Sequence, residues 1–257
     1  MKRFVNKEFR MVRTLSRSRW AGSLLWAAAV LALSPLAAVA ELVPPIVRIS
    51  DGTTTITVPE DSFTFDPETN QFESTGSITA PGDFQFGWDL ATNPDPLVIG
   101  TISVLNFSGV TNNYTLTYIQ PASPLLNAPT TSKGSIEIGV QNVDGGGTAV
   151  LTTAGLTPIY QALIDGVPQA SLLNTANLTA TGSQGIVSTS AAFGPIGGGP
   201  AVNTDIGIEV NFSLTGGFDL ASGTVFYQVV PEPSTIATLA LGMTAMLGLA
   251  WARRRSS

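Results

Sequence analysis

Between residues 84 and 230, apolar and polar side chains alternate in short, repeated runs. In FQFGWDL, Phe84, Phe86, Trp88 and Leu90 fall on one side of an extended chain, and Gln85, Gly87 and Asp89 fall on the other. YTLTY groups Tyr114, Leu116 and Tyr118 in the same way, and IEIGV groups Ile136, Ile138 and Val140. DIGIEVNFSL is the longest such run, with Ile206, Ile208, Val210, Phe212 and Leu214 on one side. Successive side chains of a strand point to opposite faces, so each run predicts a strand with one buried face. Turn-forming clusters separate the runs: NPDP (93–96), GVTNN (109–113), DGGG (144–147), FGPIGGGP (193–200) and TGGFDLASG (215–223). That spacing suits antiparallel hairpins, and about nine to eleven strands in two packed sheets are expected. The expected fold class is all-β, an antiparallel β-sandwich of jelly-roll or immunoglobulin-like type. Only LTPIYQALIDGVPQASLL (156–173) has room for a helical turn, and Pro158, Gly166 and Pro168 bound or break it. The last strand is expected over roughly 224–229.

The alternation is absent at both ends. Lys2, Arg3, Lys7, Arg10, Arg13, Arg17 and Arg19 precede the apolar run AGSLLWAAAVLAL, and SPLAAVAE follows it. A basic flank, a short apolar run and small residues at a cleavage site make a secretory signal peptide of residues 1–40. Ala38 and Ala40 place small side chains where a signal peptidase needs them, leaving Glu41 as the new terminus. Met1 and Met11 each offer a start with such a flank. At the other end, residues 235–252 carry no charge. As a helix they would span about 27 Å, against a hydrocarbon core of about 30 Å, so a single transmembrane helix is expected. Arg253, Arg254 and Arg255 would stay on the cytoplasmic side and hold the body outside, as the signal peptide also requires. Between body and span stand Pro231, Glu232 and Pro233. Two prolines remove backbone donors and favour an extended chain, so the last strand stops there and leaves an extended segment, poor in hydrogen bonds, for a processing enzyme to grip.

This order of motif, uncharged helix and arginine cluster over residues 229–257 resembles the PEP-CTERM sorting signal of Gram-negative bacteria. The resemblance implies a substrate of exosortase, a membrane-embedded cysteine protease or transpeptidase. By that analogy Pro231, Glu232 and Pro233 are recognised, and the span with Arg253–Arg255 retains the substrate at the enzyme. The family is associated with exported exopolysaccharide and biofilm matrix, and its bodies vary, so the tail implies an address rather than a chemistry.

Charge supports this division into 1–40, 41–228 and 229–257. The overall charge of −6 hides +6 in residues 1–40 and −14 over residues 41–230, where Arg48 and Lys133 are the sole cations. An acidic body repels phosphates, so no nucleic-acid partner is expected. The chain has no histidine and no cysteine, which removes the usual neutral-pH base, the thiolate nucleophile and the soft-metal ligands. Lys133 lacks the Ser-x-x-Lys spacing of a serine–lysine pair, and FGPIGGGP lacks the basic residue and helix start of a phosphate loop. Asn106, Asn113, Asn177 and Asn211 open Asn-x-Ser/Thr triplets, which in a bacterial chain read as polar positions of Asn- and Thr-rich strands.

The expected function is therefore that of a non-enzymatic exported cell-surface or matrix protein with no cofactor. Its expected partners are signal peptidase, exosortase, the membrane and exopolysaccharide. Two alternatives keep a specific chemistry. A polysaccharide hydrolase needs only two carboxylates, and Glu137 and Glu209 are the first candidates. A calcium-assisted glycan-binding module would draw on the turn residues Asp66, Asp95 and Asp144, although no Asp-x-Asp-x-Asp-Gly loop occurs. Trp88, the sole tryptophan of the body, shares the parity of Phe84 and Phe86 and is expected inside the core, where it cannot stack on a sugar.

Overall fold

The alternating runs become the long strands of two antiparallel sheets in the computed structural model, which describes residues 42–155, 157–182, 184–232 and Thr244. In chain order the strands are β1 (Ile46–Ser50), β2 (Thr55–Thr57), β3 (Thr64–Asp66), β4 (Gln71–Ala80), β5 (Phe84–Asn93), β6 (Leu97–Asn106) and β7 (Asn112–Pro121). They continue as β8 (Thr130–Asn142), β9 (Thr148–Thr152), β10 (Tyr160–Ile164), β11 (Val167–Leu172), β12 (Asn177–Thr181), β13 (Ile186–Gly199), β14 (Asp205–Leu214) and β15 (Asp219–Pro231). One sheet runs β11-β10-β14-β7-β1-β2, with β9 joining β14 and β12 joining β9. The other runs β13-β8-β15-β6-β5-β4-β3. Among the described residues a 3-10 turn at Glu60–Ser62 interrupts the strands.

The inner faces of the two sheets share one apolar core. Phe84 of β5 meets Tyr114 of β7 edge-on across the interface, with ring centroids 5.3 Å apart. The Tyr160 hydroxyl of β10 donates to the Phe226 carbonyl of β15 at 2.8 Å, a direct bond from one sheet to the other. Trp88 is inside, as expected, at 7% exposure. Its ring stacks on Phe86 at 5.4 Å, and its indole N–H donates to Ser74 Oγ at 2.9 Å.

Four expectations about the elements are corrected. Among the described residues fifteen strands form rather than nine to eleven, because β2, β3 and β12 are too short for a pattern to show in the sequence. The 156–173 segment holds no helical turn among its described residues. It forms the hairpin β10–β11, in which Asp165 and Gly166 both take positive φ (50° and 73°), as a tight two-residue turn requires. FGPIGGGP is not a turn but the end of β13, which pairs with β8 through two register shifts, between Phe193 and Ile196 and between Ile196 and Gly199. Glycine and proline are tolerated there because β13 is an edge strand. In TGGFDLASG only residues 215–218 turn; Asp219 already belongs to β15, which runs past the expected end at 229 to Pro231.

The expected signal peptide, with Ala38, Ala40 and Glu41, lies outside the described residues, as do Pro233 and Arg253–Arg255. Of the expected membrane span only Thr244 is described, and it is helical. Among the described residues no helix is long and apolar enough to cross a membrane.

Candidate functional site

Two places gather residues singled out by sequence, the end of β15 and the outer face of the seven-stranded sheet, and the others lie apart from them. At the end of β15, Val229 pairs with Ser132, Val230 with Thr131 and Pro231 with Thr130 of β8. Val229 is 1% exposed and Val230 points outward. Pro231, which has no N–H to continue the ladder, is the last strand residue.

The expectation that the next residue is poor in hydrogen bonds is overturned. The Glu232 N–H donates to the Pro129 carbonyl at 3.1 Å. Its carboxylate Oε1 accepts from the Gly198 N–H at 2.6 Å and from the Thr131 hydroxyl at 3.2 Å. The reason is topological: β8 lies beside β15 and β13 beside β8, so the side chain of Glu232 reaches across β8 to the edge strand.

The outer face of the seven-stranded sheet holds a groove of about 650 Å³. Its floor is made of small and hydroxyl residues, among them Gly87, Ser103, Gly139 and Ser222, with Asp89 and Glu137 as its acids. Asp89 accepts from the Thr75 hydroxyl at 2.8 Å. Glu209, the other expected carboxylate, is on β14 of the opposite sheet and accepts from Asn211 Nδ2 at 2.8 Å, so the pair Glu137 and Glu209 is not brought together. Lys133 lies on β8 with its ammonium 5.4 Å from the Phe226 ring centre.

The expected calcium residues are likewise apart. Asp66 closes the turn from β3 to β4, where the Glu68 N–H and the Thr69 hydroxyl bind its carboxylate and hold its pKa below the ordinary value. Asp95 and Asp144 sit in the β5–β6 and β8–β9 turns. Among the described residues no three acid side chains converge on one point. Of the triplet asparagines, Asn106 is fully buried, and its Nδ2 donates to the carbonyls of Val110, Leu214 and Thr215 at 3.1, 3.1 and 3.2 Å.

The most richly bonded carboxylate was not singled out by sequence. Burial alone would raise the pKa of Asp165, but the backbone N–H groups of Thr204, Asn203 and Asp205 and the Asn203 amide outweigh it and hold the pKa at about 2. These bonds measure 2.8 Å (Thr204 N–H), 3.1 Å (Asn203 N–H), 3.3 Å (Asp205 N–H) and 2.9 Å (Asn203 Nδ2), and the Thr204 hydroxyl donates as well at 3.0 Å. The group is a clamp between the β10–β11 turn and the start of β14. The DG pair was the available signal for the turn, but its partners are about forty residues away in sequence.

A family model described as the PEP-CTERM protein-sorting motif matches residues 229–255. No curated protein matches the chain. Among solved structures, TmCBM61 in complex with beta-1,4-galactotriose is similar at 7% identity and a TM-score of 0.25, covering 59% of this chain and 92% of that one. A likeness at that level carries nothing about the ligand of this chain.

Proposed function

The chain carries a PEP-CTERM protein-sorting motif at residues 229–255, and we propose that it is an exported, non-enzymatic cell-surface or extracellular-matrix protein processed at that motif by an exosortase. The motif itself carries this reading. Signal peptidase releases residues 1–40 and leaves Glu41 as the first residue. The span then holds the β-sandwich body at the membrane until exosortase acts at or near Pro231, Glu232 and Pro233, with Arg253–Arg255 keeping the end of the span in the cytoplasm. Two features favour this reading. Pro231 terminates the last strand, so the sheet of the body ends within the motif. The body also lacks histidine and cysteine, leaving carboxylates as its only neutral-pH general bases.

The test replaces Glu232, or both prolines, in a host that makes an exosortase. Export is expected to continue, because the signal peptide is untouched, while the protein accumulates as a full-length membrane form. Processing that proceeds at the wild-type rate in these variants would refute recognition of the motif.

The outer groove gives the enzyme alternative its one geometric foothold, since Asp89 and Glu137 line it together. If the body cuts polysaccharide, Glu137→Gln abolishes release of reducing ends while leaving the fold intact. The proposed function predicts no release from the wild-type protein in the first place.

A further inference from the structure

The glycine-rich end of β13 has no role in the fold that a turn or a phosphate loop would explain, yet it lies against the sorting motif. Gly198 adopts φ of +72°, a conformation that L side chains rarely take, and this turns its N–H onto Glu232 Oε1 at 2.6 Å. Gly197 leaves the space the carboxylate occupies: a Cβ there would stand 2.6 Å from Glu232 Oε1. Thr131 closes the other side with its hydroxyl, and the Glu232 N–H is held by Pro129. Two separate segments, 129–131 and 197–198, thus converge on one residue, through its backbone and its side chain together.

We propose that residues 197–198 and Thr131 form a latch on Glu232 that withholds the motif from the processing enzyme until the end of β15 peels from β8. The inference rests on the sorting function proposed above and adds a control to it. An enzyme that binds an extended segment needs the backbone and side-chain groups of that segment free, and the N–H and Oε1 of Glu232 are already paired within the body. Processing therefore requires a local opening, whose frequency is set by the latch rather than by global unfolding. The body is then a timer for its own release: a folded sheet slows processing, and any change that loosens the latch speeds it.

The body side of the latch can be altered with the motif intact. Gly197→Ala puts a methyl group where Oε1 sits; the far end of the flexible Glu232 side chain can swing away, so the sheet is preserved while the carboxylate is displaced. Thr131→Val removes one donor, and Thr131→Ser restores it. The two readouts are amide hydrogen exchange at Glu232 in the full-length protein in detergent micelles, and the rate at which the shortened product appears in an exosortase-producing host. Gly197→Ala and Thr131→Val are each expected to speed both by about three- to tenfold, the range for losing one charge-assisted hydrogen bond at a partly exposed site. Thr131→Ser should match wild type, and the equilibrium for global unfolding should shift by no more than that same factor.

Equal exchange in wild type and both variants overturns the latch, and so does faster exchange with unchanged processing. A wild-type chain that exosortase leaves at full length defeats the sorting function and the gate with it, a result separable from the first two because exchange is measured without the enzyme.

Discussion

Gly76 and Trp88 face each other across β4 and β5, and their fit decides how the indole is seated. A Cβ on Gly76 would lie 2.7 Å from Trp88 Cζ2, and the ring, stacked on Phe86 and bonded to Ser74, has little room to retreat. Gly76→Ala is expected to destabilise the body by about 1–3 kcal/mol through overpacking. Trp88→Ala should cost about 3–5 kcal/mol through the cavity it leaves. Denaturant unfolding measures both, and a loss under about 1 kcal/mol for Trp88→Ala would place the ring outside the core. Asp165 gives a pH signature. Its pKa is about 2 in the folded chain against 3.8 ordinarily, so its contribution is fully present above about pH 4 and is lost as pH falls through about 2. Asp165→Asn should therefore unfold at lower denaturant than wild type near neutral pH, and the gap should close below about pH 2. A gap that persists unchanged in strong acid would show that the clamp does not depend on the charge.

At the scale of the element, β5, β7, β8 and β14 were legible because each has one face of regularly spaced buried apolar residues. Phe84, Phe86, Trp88 and Leu90, and the five apolar residues of β14 from Ile206 to Leu214, are all buried as their parity requires. A one-residue slip would bury the polar set instead, so such patterns fix the register strongly. What the sequence hid is what long-range pairing creates. β12 holds to β9, and β13 runs on through Phe193–Gly199 because β8 lies beside it, although proline and glycine locally favour a turn. Likewise nothing near Glu232 signals that Gly198 would donate to its carboxylate, since the partner is 34 positions away. The extent of β15 carries a prediction of its own. Val229 is buried and paired with Ser132, so a fragment of residues 42–228 should be less stable than one of 42–232 by about 2 kcal/mol, the worth of burying a valine. Coincident unfolding curves for the two fragments would mean that the strand ends before the motif.

On the scale of the whole molecule, an acidic two-sheet body is joined with almost no linker to a sorting signal, and its last strand shares residues 229–231 with that signal. On the proposed function, folding and processing are coupled, because the segment to be recognised is also the end of a strand of the body. The most direct test is intact-mass measurement of surface-released and membrane-bound protein from matched hosts with and without an exosortase. With the enzyme present, the released protein should begin at Glu41 and end near Pro231–Pro233, and without it the protein should stay in the membrane with Arg253–Arg255 attached. A mature mass that includes Arg253–Arg255 and is the same in both hosts would contradict the account.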